Sequence, residues 1–263
     1  MTRAALGALL LGLVLGVPSA PAQTERVIDV LTRAGVTERL LLIETPGAKA
    51  TVILFAGGHG GLQIAPSGKI GWGAGNFLVR TRQMLAGHGL NVATLDAPSD
   101  RQASPYLSGF RQSRGHVADV KAVMAYLRQQ SDVPVWLMGT SMGTLSAAFI
   151  ATQVPRGDGG PDGLILTSTI LSFPGARAVP GMPLGFIKVP VLVVHHRQDG
   201  CDHCRPAELP ALMDKLTSAP RKELMLFEGG HIRNPDPCEA FHYHGYNGIE
   251  SDVVAKIVGW IVR

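Results

Sequence analysis

The stretch Val135-Trp136-Leu137-Met138-Gly139-Thr140-Ser141-Met142-Gly143 decides how the rest of the chain is read. An apolar run of strand character ends at Gly139. A helix-compatible run, Thr144-Leu145-Ser146-Ala147-Ala148-Phe149-Ile150, begins directly after Gly143. Between them stands Gly-x-Ser-x-Gly, which predicts a strand turning sharply into a helix with Ser141 at the apex. The backbone of such an apex is strained, so small residues are needed on either side, and Gly139 and Gly143 supply them. The turn lifts the Ser141 hydroxyl clear of the sheet. It also aims the N–H of Met142, at a helix N-terminus, toward negative charge forming there. Five residues with three fixed positions recur by chance; the strand before and the helix after give this occurrence its meaning.

Outward from this turn the chain alternates strands and helices. Arg26 to Leu31 and Leu40 to Thr45, joined through Arg33-Ala34-Gly35, read as an antiparallel hairpin at a sheet edge. Lys49 to Phe55 is an apolar strand suited to burial, and it ends in Ala56-Gly57-Gly58-His59-Gly60-Gly61. A Gly-, Pro- and Ser-rich loop runs to about Gly75. Asn76 is placed to cap a helix through Leu78, Arg82 and Leu85 to Gly87. Leu90 to Leu95 is a strand, and Ser113 to Gln130 a helix with Val117, Val120, Met124 and Leu127 on one face. Further strands follow at Gly163 to Ser168, Val189 to His195 and Lys222 to Phe227, and Ser251 to Val262 closes the chain as an amphipathic helix. This alternation predicts an α/β fold, a mainly parallel eight-stranded sheet with helices on both faces.

The chain has 263 residues, 46% hydrophobic and 17% charged, as expected of one globular domain with an apolar leader. Its net charge of +4, which falls to +3 without Arg3, argues against a nucleic-acid partner. Residues 1–22 resemble a secretory signal peptide: Arg3, then an uncharged run from Ala4 to Val17, then Ala20-Pro21-Ala22. That run is shorter than the ~20 residues a membrane span needs, so no stable membrane insertion is expected once the leader is removed. The expected organisation is a leader over 1–22 and one domain over 23–263, in the periplasm or outside the cell.

With the turn and the strand order in place, Val27 to Val262 resembles the α/β-hydrolase superfamily. It is also similar to a group of exported bacterial members in Phe55-Ala56-Gly57-Gly58, in Asp96 to Arg101, in His195-His196 with Asp199-Gly200-Cys201, in Pro237-Cys238, and in His-Gly-Tyr-x-Gly-x-Glu from His244 to Glu250. The resemblance implies a serine, an acid after strand seven and a histidine after strand eight. Ser141 is then the nucleophile and Asp199 the acid, with Asp202 the competing carboxylate. The histidine is His244 in preference to His231, because the closing helix follows His244 within about eight residues, the usual interval in this fold. His242 is the third candidate, expected as an exposed structural histidine. The oxyanion hole implied is the N–H of Met142 with that of Gly58, where Ala56 replaces the family's usual histidine; His59 is the alternative donor.

Cys201, Cys204 and Cys238 admit a redox motif, a zinc site with His195 and His196, or a disulfide. His195 and His196 point to opposite faces of a strand, which spoils metal convergence. Export favours a disulfide from Cys201 or Cys204 to Cys238, tying the acid loop to the histidine loop. No metal or cofactor is expected. Only about twenty residues separate strands six and seven, so no large lid domain fits, and the loop from His59 to Gly75 with Trp72 is the candidate for shaping a pocket. The function expected is an exported serine hydrolase, a carboxylesterase acting on a small ester or acyl substrate. A peptidase of the same fold and a non-catalytic binding protein are the alternatives.

Overall fold

The computed structural model describes residues 24–174 and 177–263, so the expected leader over 1–22 lies outside the described residues. The strands are β1 (Thr24–Arg33), β2 (Val36–Glu44), β3 (Ala50–Phe55), β4 (Leu90–Leu95), β5 (Val135–Thr140), β6 (Gly163–Thr167), β7 (Val191–His196) and β8 (Lys222–Phe227). The helices are α1 (Phe77–Gly87), α2 (Arg114–Gln130), α3 (Gly143–Gln153), α4 (Leu209–Lys215) and α5 (Glu250–Ile261). The strands form one eight-stranded sheet in the order β1-β2-β4-β3-β5-β6-β7-β8. β1 and β2 form the antiparallel edge hairpin, β2 runs antiparallel to β4, and every pair from β4 to β8 is parallel.

β3, β4, β5, β6 and β7 are buried along their whole length, which is why they read as continuous apolar runs rather than alternating ones. Two cores sandwich the sheet. On one face Val120, Val123 and Leu127 of α2, Leu145 and Ile150 of α3 and Leu212 of α4 pack against Leu137, Leu166 and Val193. On the other, Phe77 and Leu85 of α1 and Val254 and Ile257 of α5 pack against Leu54, Met138 and Leu192. The parallel register brings the C-terminal ends of β5, β7 and β8, and the loops they carry, to one rim of the sheet. None of the described helices is long and apolar enough to cross a membrane.

Two local expectations change. α4 is absent from the sequence reading because Pro206 and Pro210 interrupt the pattern there; Pro210 falls in its first turn, where a proline is tolerated, and Leu209, Leu212 and Leu216 are buried. Asn76 does occupy the N-cap of α1, but its side chain makes no capping bond. Its amide nitrogen lies instead near Gly57, where an added Cβ would stand 3.1 Å from it and 3.1 Å from Ser141 Cβ.

Candidate active site

The site is built from the turn after β5. Ser141 has a left-handed backbone (φ 51°), rare for a residue with a side chain. The conformation is held from both sides: its N–H donates to Thr167 O at 3.1 Å, and its carbonyl accepts from Thr144 N at 2.9 Å and from Thr144 Oγ1 at 2.6 Å. The glycines are required by proximity. A Cβ at Gly139 would stand 2.5 Å from Gly143 O, and one at Gly143 would stand 2.0 Å from Phe55 O. Only bare backbone lets α3 start this close to β3.

Asp199 lies in the loop after β7, its Oδ1 accepting the N–H of Cys201 at 3.0 Å. His244 comes from the loop after β8, in a single 3₁₀ turn over Tyr243–Gly245. Both side chains are buried, and His244 Nδ1 lies 2.9 Å from Asp199 Oδ2. This pairing leaves Nε2 of His244 buried without a partner among the described residues. Ser141 and His244 border one cavity of about 310 Å³, whose apolar walls include Trp72, Phe77 and Phe241.

The histidine loop is fixed at two points. The Tyr246 hydroxyl, fully buried, donates to Val194 O at 2.7 Å and accepts from Ser168 N at 3.1 Å, while Ser168 Oγ donates to His244 O at 2.6 Å. One phenol thus anchors the turn to the ends of β6 and β7. The second point is covalent: Cys201 and Cys238 form a disulfide across 37 positions, so of the two candidate partners for Cys238 it is Cys201 that pairs. Cys204 is a buried free thiol, pushed well above its ordinary pKa first by burial, and it lies against Ser168 O at 3.3 Å. Cys201, Cys204 and His244 place possible ligand atoms within 4.8 Å of one another, but the sulfur of Cys201 is committed to the disulfide.

The Gly-rich loop after β3 forms the opposite wall. Gly58 is left-handed (φ 57°), and the Trp72 ring packs on it so closely that a Cβ there would stand 2.5 Å from the indole. Neither the Gly58 N–H nor the Met142 N–H has a protein acceptor among the described residues. His59 is stacked between Trp72 (centroids 3.6 Å apart) and Tyr106 (4.2 Å), and its Nδ1 accepts the N–H of Gly61 at 3.1 Å. Its ring is spent on the loop's own packing. The loop hangs from Asp96, a residue sequence reasoning did not single out by itself. Oδ1 of Asp96 accepts from Leu62 N (2.6 Å) and Gln63 N (3.0 Å), and Oδ2 from Ile64 N (2.7 Å).

With 14% identity and a TM-score of 0.64, the chain is similar to the Pyrococcus furiosus esterase Pf2001 over 96% of its own length and 95% of that chain. The fold is that of the α/β-hydrolases. Dienelactone hydrolase from Anabaena variabilis (TM-score 0.60, 14% identity) is matched over 91% of this chain and 97% of that one. Est1E from Butyrivibrio proteoclasticus, solved with ferulic acid bound, is matched with a TM-score of 0.60 at 14% identity, over 89% and 98%. No protein-family model and no curated relative matches the sequence.

Within this α/β-hydrolase sheet the competing residues fall elsewhere. Asp202 is exposed and pairs with Arg205 at 2.7 Å. His231 is exposed, and its backbone N–H donates to Asn247 O at 3.0 Å. His242 departs from expectation: it is buried rather than exposed, because its ring packs edge-on against Tyr243 inside the histidine loop. His195 and His196 are both buried and diverge, as alternation along a strand requires. His195 Nε2 accepts the N–H of Thr169 at 2.7 Å, and His196 Nε2 lies 2.9 Å from Gly229 O. Met142 stands at the N-cap of α3 and lines a second cavity, of about 420 Å³, with Leu145 and Phe173.

Proposed function

We propose that this chain is an exported serine hydrolase, a carboxylesterase that transfers the acyl group of a small ester to water. The observation that carries the reading is the buried bond from His244 Nδ1 to Asp199 Oδ2 (2.9 Å), beside a cavity that Ser141 shares with His244. Asp199 holds the imidazole in the tautomer that leaves Nε2 free to accept a proton. Esterases and hydrolases among similar folds support the same class of chemistry. The leader sequence and the Cys201–Cys238 bond support export.

In the proposed reaction Ser141 Oγ attacks the ester carbonyl carbon as its proton passes to His244 Nε2. The carbonyl π pair moves onto oxygen, where the N–H groups of Met142 and Gly58 receive it. Collapse breaks the bond to the alcohol, which leaves with the proton from Nε2. Water then gives a proton to Nε2 and attacks the acyl carbon. The acid departs, and Ser141 Oγ recovers its proton.

The test is labelling of the purified protein with a fluorophosphonate, comparing wild type with Ser141→Ala, His244→Ala and His231→Ala. Labelling lost in the first two variants and retained in the third is expected. Folded wild-type protein that takes up no label overturns the reading.

A further inference from the structure

Arg111 lies in the segment before α2, outside both cores, yet it is only 3% exposed. It forms no ion pair among the described residues. Its hydrogen bonds go to two elements. Nη2 donates to Ala56 O at 3.0 Å and to Gly58 O at 3.1 Å, and Nη1 donates to Ser146 Oγ at 2.9 Å. Nε is buried without a partner among the described residues. Gly60 makes room for the fork: a Cβ there would stand 2.5 Å from Nη2.

The elements that Arg111 joins carry the two N–H groups assigned above to the oxyanion. The carbonyls of Ala56 and Gly58 belong to the peptide planes on either side of the one bearing the Gly58 N–H. A planar trans peptide cannot turn its C=O without turning the N–H of the next residue. Holding both flanking planes therefore restrains the peptide between them. Ser146 lies one helical turn beyond Met142 on α3, so the same guanidinium sets the distance between loop and helix. A planar fork with fixed donor directions does this; a flexible ammonium does not.

Electrostatics points the same way. Removing a cation from water is costly, and here no carboxylate offsets it. Burial lowers the Arg111 pKa to about 9, which leaves it charged at neutral pH. Burial lowers the pKa of both His59 and His116, and the positive field of Arg111 adds to that lowering. A buried positive charge behind the Gly58 loop favours negative charge on the carbonyl oxygen only when that charge develops, which is the requirement for lowering a barrier rather than tightening ground-state binding.

We propose that Arg111 is a positioning residue that assembles the oxyanion hole, clamping the Gly58 loop to helix α3 with one guanidinium; this rests on the serine-hydrolase reading above. The experiment uses the full-length mature protein, wild type and the variants Arg111→Met, Arg111→Lys and Ser146→Ala. It measures kcat and KM on a p-nitrophenyl ester, affinity for a trifluoromethyl ketone that forms a tetrahedral oxyanion adduct, and amide hydrogen exchange across residues 56–59. For Arg111→Met, kcat falls about 10²- to 10³-fold, the loss typical of one oxyanion donor, while KM moves little. Ketone affinity falls in parallel, and exchange at 56–59 speeds up. Arg111→Lys keeps the charge but loses the fork, and recovers only part of kcat. Should Arg111→Met fail to fold, Ser146→Ala and Arg111→Lys decide through the same kcat and ketone losses. A folded variant with wild-type kcat and ketone affinity, or a loss confined to KM, overturns the proposal while the hydrolase reading stands. A wild-type protein that neither hydrolyses the ester nor takes up a fluorophosphonate overturns both.

Discussion

Asp199 and His244 meet at 2.9 Å although 45 positions separate them in the chain. Their loops leave the paired parallel strands β7 and β8, whose register sets His196 opposite Phe227 and so starts both loops at the same height on the rim. From that common start a short turn carries Asp199, while a long segment after β8, pinned by the Cys201–Cys238 bond and the Tyr246 hydroxyl, brings His244 back to it.

Asp199→Asn keeps the shape of this contact and removes its charge. In a Ser-His-Asp arrangement such a change costs about 10⁴-fold in kcat, and a loss of 10³ to 10⁴ with little change in KM is expected here. Asp202→Asn retains wild-type kcat, because Asp202 faces Arg205 and solvent. Steady-state kinetics on the two variants checks the assignment; equal losses would refute it.

Breaking the Cys201–Cys238 bond by Cys238→Ser opens a loop of 37 residues' separation. Chain entropy alone assigns such a cross-link about 4 kcal/mol. Thermal unfolding should shift down accordingly, and kcat should fall because the acid and histidine loops lose their tether. Under denaturing, non-reducing conditions the wild type should show one reactive thiol and the variant two, since only Cys204 is free.

Asp96→Ala strips three N–H groups of the loop, those of Leu62, Gln63 and Ile64, of their acceptors. The two buried donors, on Leu62 and Ile64, each cost about 1–3 kcal/mol when left unpaired, reduced by whatever the loop recovers through relaxation, while the part-exposed Gln63 N–H can turn to water. The expected result is a destabilised protein with faster amide exchange at 62–64 and lower kcat/KM. Asp96→Asn, which keeps one acceptor oxygen, should fall between the two.

His116 and His195 are buried, and desolvation holds each at a pKa of about 3. Unfolded, each titrates near 6.5. The native state therefore binds fewer protons between these values, and the stability this provides is complete above pH 6.5 and lost as pH falls toward 3. Each contributes a slope of about 1.4 kcal/mol per pH unit in that window. His116→Leu should flatten the fall by that amount, read from denaturant unfolding at pH 4, 5 and 6.

Glu38 has the opposite sign. It is fully buried with both oxygens unpartnered, and burial, with Asp119 and Asp96 nearby, raises its pKa well above the ordinary value. Its folded form holds a proton that the unfolded chain releases, so its contribution is lost as pH rises. Glu38→Gln should therefore gain in stability relative to the wild type as pH rises above the ordinary carboxylate range, with a slope of up to about 1.4 kcal/mol per pH unit. A difference independent of pH would refute a neutral Glu38.

The turn at Ser141 was legible because its determinants are local: two glycines, a strand before and a helix after. The hairpin of β1 and β2 was legible for the same reason. His244 was favoured over His231 by its distance along the chain to α5, and the structure joins His244, not His231, to Asp199. Other features act across distance. Asp96 holds backbone groups 32 to 34 positions away, and Arg111 reaches Ala56 across 55, with no periodicity to announce either. Asn76 looked like a helix cap because its position is a cap; only the packed cavity shows that its amide faces Gly57. His242 read as exposed because the loop around it is polar, whereas the folding of that loop on itself buries it.

The stretch Glu239-Ala240-Phe241 runs between the covalent anchor at Cys238 and the buried phenol of Tyr246, and all three residues border the cavity. Both ends are held independently of what lies between them. Changes in these three side chains can remodel the cavity wall while His244 stays where it is. On the hydrolase reading, the framework that holds the Asp199–His244 pair and the wall that faces a bound molecule are thereby separable, and a library confined to 239–241 is the economical place to vary what the cavity admits.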